Sequence, residues 1–123
     1  MGKNLDLELS KETLSLLLPE LLITHFNLTN SLVEKEVVHL HFEEKKDTPE
    51  EEKERILTAH GFHQEITVQD FPLRGKSVFL HIKRRRWLDK STKEVVQRDW
   101  NLVAKGSRMT IDFADFLKEI NKY

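Results

Sequence analysis

The sequence has no cysteine, which excludes disulfides, thiol catalysis and the thiolate ligands on which nearly every structural zinc site depends. Only four glycines and three prolines occur in 123 residues, and none of the glycines builds a phosphate-cradling loop or a nucleophile elbow. A metalloprotease helix is also missing. Enzyme readings therefore have no motif to start from, and the expectation is a non-catalytic protein with no cofactor and no small-molecule substrate. Long hydrophobic runs are absent as well: Leu16 to Ile23 is broken by Pro19 and Glu20, and the first residues lack the basic and apolar regions of a signal peptide. No membrane partner is expected, and the expected location is the cytoplasm.

What is present is charge. The chain is 38% hydrophobic and 33% charged, enough for a single domain, 1–123, with one core. Its net charge of −1 conceals two opposite halves. Met1 to Asp70 holds 7 Lys and Arg against 15 Asp and Glu, whereas Phe71 to Tyr123 holds 13 against 6. Such a dipole calls either for an anionic partner on the basic side or for pairing of the two halves with each other.

Periodicity predicts an α+β chain of antiparallel hairpins or a small ribbon-like sheet, with a helix near each end. Residues 10–43 read as a helix plus hairpin. Ser10 is placed to cap a helix carrying Leu14, Leu17, Leu18, Leu21 and Leu22 at helical spacing. Pro19 either kinks that helix or begins a second short one reaching about Phe26. Leu28 to Val33 and Val37 to Phe42 follow as strands, with Val38, Leu40 and Phe42 on one face. Residues 44–55 form an acidic linker, short or mobile, whose Thr48 to Glu51 fit a helix start with a capping box. Residues 56–103 read as a basic β-ribbon with strands at Ile56 to Phe62, Gln64 to Asp70, Lys76 to Trp87 and Glu94 to Val103. Pro72 to Gly75 and Asp89 to Lys93 supply its turns. A last helix, 109–122, is capped by Thr110. No internal repeat appears, and no low-complexity segment beyond the linker.

The strongest local signal is Lys83, Arg84, Arg85, Arg86 and Trp87, supported by Arg74, Lys76, Lys90, Lys93, Arg98, Lys105 and Arg108. Arg74 to Arg108 contains 11 basic residues and 3 acidic ones. Strand alternation sends Arg84 and Arg86 to one face and Lys83, Arg85 and Trp87 to the other, so both faces near the tip are expected to be wet. A basic exposed ribbon suits nucleic acid, since its charges release counterions from phosphates and arginine can fork onto guanine. Composition leaves that reading level with a solvated strand end paired to the acidic half. Trp87 and Trp100 are candidates for base stacking, though tryptophans across a hairpin more often pack on each other or on the core. His39 and His41 share a strand face, with His60 and His63 candidates to lie nearby. Without cysteine such a set is more often a surface feature than a metal site, and no metal is expected. Asp70 reads as a turn former, and Glu50 to Glu52 as a solvated helix start.

Residues 60–87 read HGFHQEITVQDFPLRGKSVFLHIKRRRW and continue LDKSTKEVVQRDWNLVAKGSRMT. This resembles the DNA-recognition region that precedes the catalytic domain in a class of bacterial insertion-sequence transposases. The matching pieces are Ile66, Asp70, Pro72, Gly75, Val78, Leu80, Arg85, Arg86 and Trp87. From about Ser10 to Tyr123 the chain looks like the separately encoded N-terminal region protein of such elements. The resemblance implies a module that binds double-stranded DNA at the terminal inverted repeats, partnered by a separate catalytic subunit that carries the Asp-Asp-Glu set. In zinc-bearing relatives cysteine pairs flank this hairpin; here those places are the acidic linker and Asp89 to Lys93, so the ribbon is expected to be metal-free. The alternative is a protein-interaction module that docks on the catalytic subunit without touching DNA.

Overall fold

The structure is a computed structural model and describes residues 18–104 and 111–121. The helix expected from Lys11, its Ser10 cap and the Thr110 cap lie outside the described residues. The α+β expectation holds. Helix α1 (Glu20–His25) leads into strands β1 (Phe26–Glu34) and β2 (Val37–Glu44). After a single 3-10 turn (Glu50–Glu52) come β3 (Leu57–Phe62), β4 (Ile66–Leu73), β5 (Lys76–Lys83), β6 (Arg85–Asp89) and β7 (Glu94–Val96). Helices α2 (Trp100–Val103) and α3 (Ile111–Ile120) close the order.

Pro19 ends up as the N-cap of α1, its carbonyl accepting from the Leu22 and Ile23 amides, because a residue without an N–H is best placed at a helix start. Of the two readings of Pro19, the one in which a short helix begins there is the one formed. At residues 48–51 no capping box forms: Pro49 takes the N-cap place and no side chain caps the turn.

Two antiparallel hairpins, β1 with β2 and β4 with β5, join through parallel pairing of β2 with β5, giving the sheet order β1, β2, β5, β4. This parallel seam was not among the sequence expectations, which contained hairpins only. It sets Val38 beside Val78, Leu40 beside Leu80 and Phe42 beside Ile82. All six side chains are buried, together with Ile66 and Val68 of β4, and the core is completed by Leu21, Leu22 and Ile23 of α1, Trp100 and Ala104, and Phe116 and Ile120 of α3. Burying one such aliphatic side chain contributes about 1.5–3 kcal/mol, so the seam is the energetic centre of the fold.

The expected strand from Lys76 to Trp87 is instead two strands. Val78, Leu80 and Ile82 point into the core; Arg84 follows the same alternation inward and donates from Nη1 to the Ile120 carbonyl at 3.0 Å. The chain then leaves the first sheet, and β6 pairs with β3 and β7 in a second, antiparallel sheet of three strands. The expected strand from Glu94 to Val103 also stops early. The Asp99 carboxylate accepts from the Asn101 and Leu102 amides and caps α2, which offers the backbone a helical turn in place of a ladder.

Candidate nucleic-acid interface

The structure separates the twelve basic and aromatic candidates into three groups. Arg84, Trp87 and Arg98 are internal, 1%, 3% and 5% exposed. Arg98 Nε lies 3.3 Å from Glu44 Oε2, and its Nη2 donates to the Asp47 carbonyl. Arg85 is half-buried: its amide donates to Glu44 Oε1 at 2.8 Å, its guanidinium forks onto the Glu44 carbonyl at 3.0 and 3.2 Å, and its Cζ sits 4.4 Å from the centre of the Phe62 ring. The expectation that both faces of the ribbon are wet is therefore corrected. One face of β6 carries Arg85, Trp87 and Asp89 and is closed by Glu44, Phe62 and Arg55. Arginines 84, 85 and 98 are anchors of the fold and do not present free guanidinium groups. Trp87 and Trp100 do not stack on each other; Trp100 lies against Phe26, with ring centres 5.2 Å apart.

A second group is exposed or half-buried, with Arg74, Lys90 and Lys93 exposed and Lys76, Lys83 and Arg86 half-buried. Arg74 and Gly75 make the two-residue turn between β4 and β5, both with positive φ (50° and 79°), as a type I′ hairpin requires. Lys76 beside them donates to the Lys35 carbonyl in the neighbouring turn of β1 and β2. Lys90 and Lys93 are exposed in the turn from β6 to β7. Asp89 builds that turn: Oδ1 accepts from the Ser91 hydroxyl at 2.7 Å and from the Ser91 and Thr92 amides at 3.0 and 3.3 Å, and its carbonyl accepts from Lys93 N at 2.7 Å. The Ser91 hydrogen bond, ahead of the amides and Arg55, holds the Asp89 carboxyl below its usual range. Arg86 projects from the opposite face of β6 to Trp87, and Lys83 stands half-exposed with its Nζ 4.0 Å from Glu43. The third group, Lys105 and Arg108, lies outside the described residues.

Two residues escaped the sequence reading. Arg55, in the acidic linker, reaches Glu52, Asp89 and Glu94 at once and ties the linker to both ends of the hairpin turn. Glu44 receives two arginines while only 1% exposed; burial pushes its pKa up, against the Arg85 amide and Arg98, which pull it down. A signal for Glu44 existed: it continues the inward alternation of Val38, Leu40 and Phe42, as Arg84 continues that of Val78, Leu80 and Ile82. Arg55 had none, since its partners depend on how the two sheets are assembled.

The histidines also regroup. His39 and His41 are joined not by His60 or His63 but by His81 of β5, in register with His41 across the parallel seam. His60 is exposed on β3, and the His63 amide donates to the Arg84 carbonyl at the crossing between the sheets. Among the described residues no helix is long and apolar enough to cross a membrane.

The fold and site thus define a small α+β domain of two sheets that meet at a buried carboxylate between arginines, with cations presented on hairpin turns. Compared with known proteins, the chain matches no family model, no curated protein and no solved structure.

Proposed function

We propose that the chain is a non-catalytic DNA-binding module of a transposition system, recognising the ends of its element while a separate subunit performs the chemistry. The observation that carries this reading is the turn from β6 to β7. Asp89 holds Lys90 and Lys93 in a fixed exposed turn, with Arg86 projecting from the strand that leads into it. Exposed cations on a turn whose backbone is already ordered meet phosphates with no further cost for ordering the loop, and a nearby arginine supplies the planar fork that reads guanine. Arg74 and Lys76, on the other hairpin turn, supply a second contact. The Arg55 tie joins the linker to the Asp89 turn, the two places where zinc-bearing relatives carry their cysteines, which supports a metal-free version of that ribbon. Such a protein resides in the cytoplasm and associates with the nucleoid when bound.

A second reading, docking on the catalytic subunit without DNA contact, is favoured by the exposure of Ile56 (88%), just before β3, and of Val95 (41%) in β7, and by the internal use of three arginines. Titration of labelled duplex carrying the element's ends distinguishes the two. Using about five phosphate contacts, a DNA binder loses affinity on the order of 10²- to 10³-fold between 50 and 200 mM salt. Replacing Arg86, Lys90 and Lys93 together by Ala removes most binding and leaves the fold intact. No binding at 50 mM salt, combined with capture of the purified catalytic subunit, establishes the docking reading.

A further inference from the structure

We propose that His41, Glu65 and His81 form a binding site for a divalent transition-metal ion of the zinc class on the outer face of the four-stranded sheet. Three elements converge there. His41 of β2 and His81 of β5 are direct neighbours across the parallel seam, their ring centres 4.4 Å apart and their planes 16° from parallel. Thr67 of β4 pairs with His81 from the other side, and Glu65, just before β4, brings its Oε2 to 3.6 Å from His81 Nδ1. One ligand atom from each of His41, Glu65 and His81 lies within 4.8 Å of the others.

The hydrogen bonds around this trio orient it. His81 Nε2 is 2.9 Å from His39 Nδ1, and His39 Nε2 is 3.6 Å from the Glu34 carboxylate. The chain from Glu34 through His39 to His81 is satisfied when each imidazole carries its proton on Nε2. His39 then points its N–H at Glu34, and His81 donates to His39. In that tautomer the single lone pair of His81 Nδ1 accepts the Thr67 hydroxyl at 3.1 Å, with the Glu65 carboxylate 3.6 Å away, and a metal ion takes that lone pair by displacing the hydroxyl. With the hydroxyl displaced, an imidazole nitrogen and a carboxylate face each other with no proton between them, and a cation between them turns the repulsion into attraction. The same chain supplies the outer hydrogen bonds by which metal-binding histidines are usually fixed in ring orientation and tautomer.

Spacing and ligand type select the ion. Tetrahedral coordination with bonds of about 2.0–2.2 Å separates ligand atoms by roughly 3.3–3.6 Å, so a trio whose atoms lie within 4.8 Å of one another closes by at most about 1.5 Å on binding. Glu65, with 37% of its side chain exposed, has the freedom to move, and one imidazole also turns out of the stack on binding, because the in-plane lone pairs of two rings 16° from parallel do not converge on one ion. Two imidazoles and one carboxylate favour zinc, cobalt, nickel or copper over magnesium and calcium. Three protein ligands leave a fourth position for water or for a donor from a bound partner.

The test uses the full chain with any polyhistidine tag removed, titrated by calorimetry with zinc chloride alone and, in parallel, with cobalt chloride followed by visible absorption. One equivalent is expected to bind with a dissociation constant on the order of 10 μM, with the cobalt form showing the d–d bands of a tetrahedral nitrogen and oxygen site. His81→Asn and Glu65→Gln each weaken binding at least about tenfold, while His60→Asn on the other sheet leaves it unchanged. Glu65 is a surface side chain, so its variant decides the matter even where His81→Asn perturbs the fold. Absence of a saturable equivalent at roughly 100 μM zinc, or equal binding by the Glu65→Gln and native chains, overturns the proposal.

Discussion

Glu44 is the side chain on which the two sheets depend. Its carboxylate receives Arg98 and the Arg85 amide, and its carbonyl receives the Arg85 guanidinium. Removing one member of a buried ionic group strands the others without solvent, which typically costs about 3–5 kcal/mol. Glu44→Ala is accordingly expected to lower the unfolding free energy in urea by that amount, whereas Glu43→Ala, one residue away on the outer face, changes it by less than about 1 kcal/mol. Two histidines add a pH dependence of definite sign. Burial, then Arg98 and Lys45, lowers the His25 pKa from its ordinary 6.5, against weaker opposing pulls from Asp47 and Glu51. Burial, then Arg84 and Arg86, lowers that of His63, against a hydrogen bond with Gln97. Between the lowered folded values and 6.5 the unfolded chain binds more protons, so stability is full above pH 6.5 and is lost as pH falls below it. Urea midpoints at about pH 7.5 and 5.5 are expected to differ less in the His25→Gln, His63→Gln double variant than in the native chain.

At the scale of elements, the turn from β4 to β5 shows what the sequence made legible. Arg74 and Gly75 were recognisable as a turn, and the structure narrows it to two residues with left-handed backbone, so that β4 runs on through Pro72 to Leu73. A Cβ at Gly75 meets nothing within 4 Å, which makes Gly75→Ala a purely conformational change. It is expected to cost about 1 kcal/mol, read from the shift in thermal midpoint. Both hairpins, the inward face of β2 and the helical spacing into α1 were readable because they rest on local periodicity. The break at Arg84 and the shift from strand to helix at Asp99 were not. In each case a polar side chain with a distant or backbone partner overrode the apolar alternation that the sequence displays. The same limit explains the basic cluster: charge at 83–86 is visible in the sequence, but that Arg84 and Arg85 serve the interior follows only once Glu44 and Ile120 are in place.

At the scale of the whole molecule, the opposite charges of the two halves are partly spent on holding the chain together. Arg98 and Arg85 of the basic half meet Glu44 of the acidic half, and Arg55 of the acidic half meets Asp89 and Glu94 of the basic half. The parallel seam has a further consequence, for the order in which the chain folds. Each hairpin closes over a few residues, but Val37 must find Ser77, 40 positions later, before β2 and β5 bury anything against each other. Loop closure of that length precedes its reward, so seam formation is expected to limit the folding rate. In stopped-flow refolding, Val38→Ala in the seam is expected to slow folding, while Val96→Ala in β7 chiefly accelerates unfolding. Until the seam closes, the two hairpins are separate ribbons with unpaired edges, and it is at that stage that the chain is most exposed to pairing with another copy of itself.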